Sequence, residues 1–141
     1  MVGDVFLDAK IFAQRYRHWN GAIMPRQHHK LDYVEFASAD LARTKAFFTA
    51  VFGWEFEDFG PAYTAFSGVG LDGGFFHGEG VSRTESGAAL IVFFSDDLEA
   101  SQAQIIAAGG EITCPVFTFP GGRRFHFAEP MGNEFAVWAL P

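Results

Sequence analysis

Two stretches of this chain repeat one another, and the repeat limits what the chain can fold into more than any other feature. "YVEFASADLARTKAFFTAVFGWEF" begins at Tyr33 and "LIVFFSDDLEASQAQIIAAGGEIT" begins at Leu90. In each, an apolar strand runs into a small turn holding an aspartate, Asp40 or Asp97, and thirteen residues later comes a glycine, Gly53 or Gly110. Between these marks one helix face is traced by Leu41, Thr44, Phe48 and Val51 in the first copy and by Leu98, Ser101, Ile105 and Ala108 in the second. The aspartates suit N-caps, where a side-chain oxygen takes up orphan amide protons. The glycines suit C-caps, where the backbone turns left-handed.

Strand-like runs follow each helix: "WEFEDF", "AYTAFSGV" and "GGFFHG" in the first half, "EITCPVFTF", "RRFHFAE" and "NEFAVWA" in the second. Each half therefore reads as strand, helix and three strands. The expected fold class is α+β, with two βαβββ modules at about residues 31–78 and 88–140. The Gly- and Ser-rich "GEGVSRTESGA" between them reads as a connector. The tails overlay as well, "FSGVGLDGGFFH" from Phe66 lying over "FAEPMGNEFAVW" from Phe127.

Residues 1–30 stand outside the repeat. Val5, Ala9, Phe12, Tyr16 and Trp19 recur every three or four residues, with Asp4 placed to cap and Gly21 to stop, so the spacing predicts an amphipathic helix from Val5 to Trp19. "PRQHHK" then reads as a polar linker whose adjacent His28 and His29 cannot face one way on a helix or strand. The segment lacks the long apolar run of a secretory signal, and no stretch approaches the roughly twenty apolar residues that span a bilayer. A soluble, cytoplasmic protein is expected.

Charge is unevenly spread. Residues 1–30 carry five basic and two acidic side chains, whereas residues 31–141 carry five basic and fifteen acidic ones, a body charge of −10 within a net −7. Such a body lacks the basic footprint that nucleic acid or an anionic membrane requires as partner. Eighteen Phe among 141 residues supply a thick apolar interior or an aromatic cavity. Cys114, the only cysteine, excludes an internal disulfide and a cysteine-built metal cluster, and reads as a buried, inert thiol.

With these features in hand the chain resembles the vicinal oxygen chelate superfamily, which includes glyoxalase I, bleomycin-resistance proteins, fosfomycin-resistance enzymes and extradiol dioxygenases. The resemblance rests on "ADLARTKAFFTAVFGWEF", the "GG" before the last strand of the first half, "AAGGEI", and "EPMGNEFAVW", close to a terminal Asp-Pro-x-Gly-Asn pattern, and it covers about residues 31–140. It implies a curved mixed sheet around a pocket, often completed across a homodimer. Metal-using members take ligands from the first and last strand of each half, and those positions fall by alignment at Tyr33, Phe75, Leu90 and Ala136.

Phe, Leu and Ala offer no lone pair, and Tyr33 alone cannot hold an ion, so no metal and no other cofactor is expected. A two-residue slip keeps the sheet face and would bring in Glu35, His77, Val92 and Trp138 or Glu134, from which Glu35, His77 and Glu134 could form an open metal site. His126 alternates with Phe125 and Phe127 and must face away from both. Arg123 and Arg124 read as a solvated strand start or an anion hook, and Trp54 as packing at a helix-to-strand junction.

Two readings result. The first is a metal-free protein that holds a small organic molecule, aromatic or cationic, in a pocket lined by Tyr33, Glu35, Phe75, His77, Leu90, Ala136 and Trp138. The second is a glyoxalase-like lyase, isomerase or dioxygenase in which Glu35 and His77 do acid–base work with or without a divalent metal. A homodimer is expected under both, because short modules leave strand edges to be covered.

Overall fold

A computed structural model of the chain describes residues 16–19 and 22–141. It contains the expected duplication. The first module is β3 (Tyr33–Ser38), α1 (Leu41–Phe52), β4 (Phe56–Asp58), β5 (Tyr63–Phe66) and β6 (Asp72–His77). The second is β7 (Ile91–Phe94), α2 (Leu98–Ala107), β8 (Glu111–Phe119), β9 (Gly122–Ala128) and β10 (Glu134–Ala139). Each makes a four-stranded mixed sheet, ordered β3-β6-β5-β4 and β7-β10-β9-β8. In both, the first strand runs parallel to the last, which is otherwise antiparallel to its neighbour.

The helix entries are built alike. Asp40 accepts from the Arg43 amide and Asp97 from the Ala100 amide, both at 3.1 Å. Behind each cap a hydroxyl pair closes at 2.7 Å, Ser38 with Thr44 and Ser95 with Ser101. The exits differ. Gly53 is left-handed at φ 69°, as expected, but in the second module Gly109 takes that conformation at φ 96° and not Gly110. Gly110 answers a different need, since a Cβ there would lie 2.5 Å from Ile105 Cγ2.

One aromatic core joins the modules. Phe48, fully buried, stacks on Trp54 and touches Phe75 of its own sheet and Phe135 of the other. Phe36 meets Phe135 at 5.1 Å, and Phe52 lies parallel to Phe93 at 4.1 Å. Trp54 is also sandwiched against Phe66 at 4.3 Å, the junction role its position implied. Val34, Phe36, Phe75, Phe93, Phe127, Phe135 and Val137 therefore mark the inner side of each sheet. Strand alternation turns their neighbours outward.

The N-terminal helix is revised at its end. Tyr16–Trp19 is strand β1, paired antiparallel with β2 (Ala22–Pro25) from Tyr16↔Pro25 to Trp19↔Ala22, and the rest of the expected helix lies outside the described residues. The physical reason is in the sequence: Asn20-Gly21 separates two short runs containing Tyr, Trp and Ile, and Asn-Gly is the dipeptide that most favours a two-residue hairpin. Its signal outweighs the three-to-four spacing there. Beyond β2, His28 and His29 stack on one another at 3.7 Å in an exposed turn.

Candidate functional site

The outward face of the first sheet carries Tyr33 and Glu35 from β3, Asp72 and Gly74 from β6, and Tyr63 from β5. The Tyr33 and Tyr63 hydroxyls meet at 2.5 Å, and Tyr63 also hydrogen-bonds Glu35. Burial, the bond to Tyr33 and the nearby charge of Glu35 push the Tyr63 phenol far above its ordinary value, while burial above all raises Tyr33. Gly74 is the space this pair needs, because a Cβ there would stand 2.2 Å from Tyr63 Oη. Arg26 closes the end of the face, donating to Asp32 at 2.6 Å and to Asp72 at 3.2 Å.

The second sheet presents a different surface. Its outward residues are Leu90, Val92 and Phe94 leading through β7, Glu134, Ala136 and Trp138 on β10, Arg124 and His126 on β9, and Phe117 and Phe119 on β8. Phe94 meets Trp138 edge-on at 5.1 Å, and Trp138 lies 6.2 Å from Phe119. The Arg124 guanidinium sits 5.0 Å from the Phe117 ring centre and 5.7 Å from that of Phe119. Val92 and Phe94 remain 42% and 52% exposed, so no described residue covers them.

Two ionisable groups on this face are tuned in opposite senses. Burial would raise the Glu134 carboxyl, but it stays below its ordinary value because it accepts from the Thr84 amide and hydroxyl at 2.9 and 2.6 Å and from the Thr113 hydroxyl at 2.7 Å. Burial lowers His126, the Arg124 charge lowers it further, and Glu134 opposes both. His126 is accordingly a neutral imidazole at pH 7.

Strand register decides whether a metal fits. Glu35 is opposite Gly74 at the centre of the first outward face, and at the centre of the second Ala136 lies between Val92 and His126. Glu35 is the donor at the centre of the first face and His126 that of the second, one to each sheet. Among the described residues no three of His, Cys, Asp and Glu come close enough to hold an ion. The donor set of the described residues does not suit a divalent metal centre.

The expected pocket residues separate into two groups. Tyr33, Glu35, Leu90, Ala136 and Trp138 turn outward, but Phe75 is fully buried on the inner side against Phe36 and Phe66. His77 shares the parity of Phe75 and is exposed at the strand end, on the opposite face from Glu35. The reason is one residue of length. Residues 67–72 separate the paired Phe66 and Gly73, whereas residues 128–134, one more, separate the paired Phe127 and Phe135. The overlay anchored at Phe66 and Phe127 is thus shifted by one on the last strand, and a shift of one exchanges the faces.

Sequence reasoning gave Tyr63, Asp72 and Thr113 no role. The signal for Tyr63 was present, a Tyr on a strand facing "GG". Arg123 and Arg124 part company: Arg123 binds Glu99 of α2 at 2.5 Å on the surface, while Arg124 joins the outward face. Cys114 is half-buried, its thiol directed to the Pro115 carbonyl at 3.7 Å.

Paired βαβββ sheets with outward faces of this composition define a glyoxalase-type scaffold. The chain belongs to the glyoxalase/bleomycin resistance protein/dioxygenase superfamily, whose pattern it matches over residues 30–137. Its curated relatives include the anthracycline biosynthesis proteins DnrV of Streptomyces peucetius, 32% identical over 124 residues, and DauV of Streptomyces sp. strain C5, 30% identical over the same length. In each case the match takes in 75% of this chain and 45% of the relative, so the chain spans a little under half the length of these proteins.

Among solved structures, the fosfomycin resistance protein FosX of Listeria monocytogenes superposes with a TM-score of 0.67 at 22% identity, over 82% of this chain and 96% of that one. A glyoxalase/bleomycin resistance protein/dioxygenase family enzyme from Burkholderia phytofirmans PsJN gives 0.66 at 18% identity, over 79% and 99%. These likenesses establish the fold. No helix among the described residues is long and apolar enough to cross a membrane.

Proposed function

We propose that the chain binds a small aromatic molecule on its outward sheet faces without using a metal. The observation that carries this reading is the pair of facing positions Glu35–Gly74 and Ala136–Val92, where one carboxylate stands among three residues with no ligand atom. Around these positions the rings of Tyr33, Phe94, Phe119 and Trp138 supply stacking area, and Glu35 supplies a polar anchor suited to a cationic substituent. A flat ligand also accords with relatives named for anthracycline biosynthesis. The acid–base alternative loses its pair, because Glu35 and His77 lie on opposite faces.

A second copy of the chain completes the site. The ring contacts that join the modules lie on the inner side, and the polar groups that influence one another on the outward faces do so within their own module. Each face is therefore a half-site, open as the exposure of Val92 and Phe94 shows. A face from one copy laid over a face from another encloses the ligand. Work inside the cytoplasm is part of the same proposal.

The test is metal analysis of protein purified without chelator, for wild type and Glu35→Ala, together with a thermal-shift panel of aromatic and cationic compounds. Metal well below one equivalent in both samples is expected, with at least one panel compound raising the melting temperature as a ligand of the native state must. One equivalent of divalent metal that disappears in Glu35→Ala would move the chain to the enzyme class.

A further inference from the structure

Arg124 and His126 are two residues apart on β9 and so share the outward face of the second sheet. Arg124 Nε and His126 Nε2 are both buried, and neither has a hydrogen-bond partner among the described residues. Buried polar nitrogens without partners are uncommon in folded proteins and costly to leave so, and two on one face call for a cause. No described carboxylate pairs with Arg124 either: Arg123 takes Glu99, and Glu134 is occupied by Thr84 and Thr113. The guanidinium instead lies against the rings of Phe117 and Phe119, while His126 lies 5.9 Å from Phe117.

A cation held against rings, with an unsatisfied N–H and a neutral imidazole nitrogen beside it, is matched by a flat ring system bearing an anionic oxygen. We infer that Arg124 and His126 recognise the carboxylate or ionised phenol of an aromatic ligand, whose ring system lies along Trp138, Phe119 and Phe94. The inference rests on the small-molecule reading above and specifies the ligand class at the second face. Arg124 supplies the charge-assisted bond, which favours an anion over a neutral isostere. His126 supplies a neutral contact from its Nε2, which leaves Arg124 as the cation a ligand meets, the Glu134 carboxylate being held by Thr84 and Thr113. The chain's net −7 makes this local cation stand out as a discriminating feature.

The experiment is titration calorimetry with 2-naphthoate and 2-naphthamide, which share a ring system and differ in charge. Wild type is expected to bind the carboxylate about tenfold or more tightly than the amide, the order of one charge-assisted bond. Arg124→Gln should abolish that preference while changing amide affinity less than about threefold, and Arg124→Lys, which keeps the charge and loses the flat fork, should retain part of it. Unaltered melting temperatures identify the variants as folded, and Arg124→Lys carries the test if Arg124→Gln does not fold. Equal affinity for the two compounds, or a preference that survives in Arg124→Gln, overturns the inference while leaving the small-molecule reading intact. No binding of either below about 1 mM also overturns it, and the small-molecule reading then stands or falls on the wider panel.

Discussion

Glu129 is the residue whose chemistry is most at odds with its surroundings. It is 2% exposed in the turn before β10, where Oε1 accepts from the Asn133 amide at 2.9 Å and Oε2 has no hydrogen-bond partner among the described residues. Burial raises its carboxyl from 4.5 to about 7, although the Asn133, Met131 and Gly132 amides and Thr44 pull the other way. Since the folded value lies above the unfolded one, folding takes up a proton. The stability this provides is complete below pH 4.5 and is lost as pH rises through about 7. Glu129→Gln keeps a carbonyl oxygen for Asn133 and removes the charge. It should stabilise the fold at pH 8 by roughly 2–3 kcal/mol and leave it nearly unchanged at pH 4.5, as read from urea unfolding at the two pH values. The sequence placed this glutamate in a family-like turn. Its isolation was not legible, because burial depends on the first module packing over it.

At the scale of elements, the strongest join between the modules outside the aromatic core is one side chain. Asn133, fully buried, donates from Nδ2 to the Ala37 carbonyl on β3 and accepts from the Ser82 amide of the connector, both at 2.8 Å. Asn133→Ala strands two backbone groups and should lower stability by roughly 3 kcal/mol, visible as a lower urea midpoint with an unchanged slope. The strands, helices and both N-caps were legible because caps and periodicity are local signals. What escaped was the phase of β6, set by the hairpin one residue shorter than its counterpart. The end of the N-terminal element escaped for a related reason: two local signals overlapped at Tyr16–Trp19, and the hairpin dipeptide prevailed.

For the whole molecule, the expected assembly follows from the uncovered second face. Sedimentation at micromolar concentration should give twice the 15.5 kDa chain mass, and Val92→Asp, which puts a charge on that face, should shift the population to monomer with little change in circular dichroism. A monomeric wild type would leave each half-site open and remove the enclosed pocket from the proposed function. The family and the duplicated architecture were readable in advance. The Arg124–His126 pair was only half visible: alternation placed His126 opposite the two Phe, but only the folded sheet reveals that Arg124 stacks on rings and leaves its charge unmet.

The bond from Asn133 to the Ala37 carbonyl also has a bearing on aggregation. β3 is the outermost strand of its sheet, and such a rim invites a stray chain to add itself by backbone pairing. With one of its carbonyls already engaged by a side chain from the neighbouring module, that invitation is withdrawn at the point where the turn before β10 reaches β3. The second half thus shields this rim of the first from fibre-like growth.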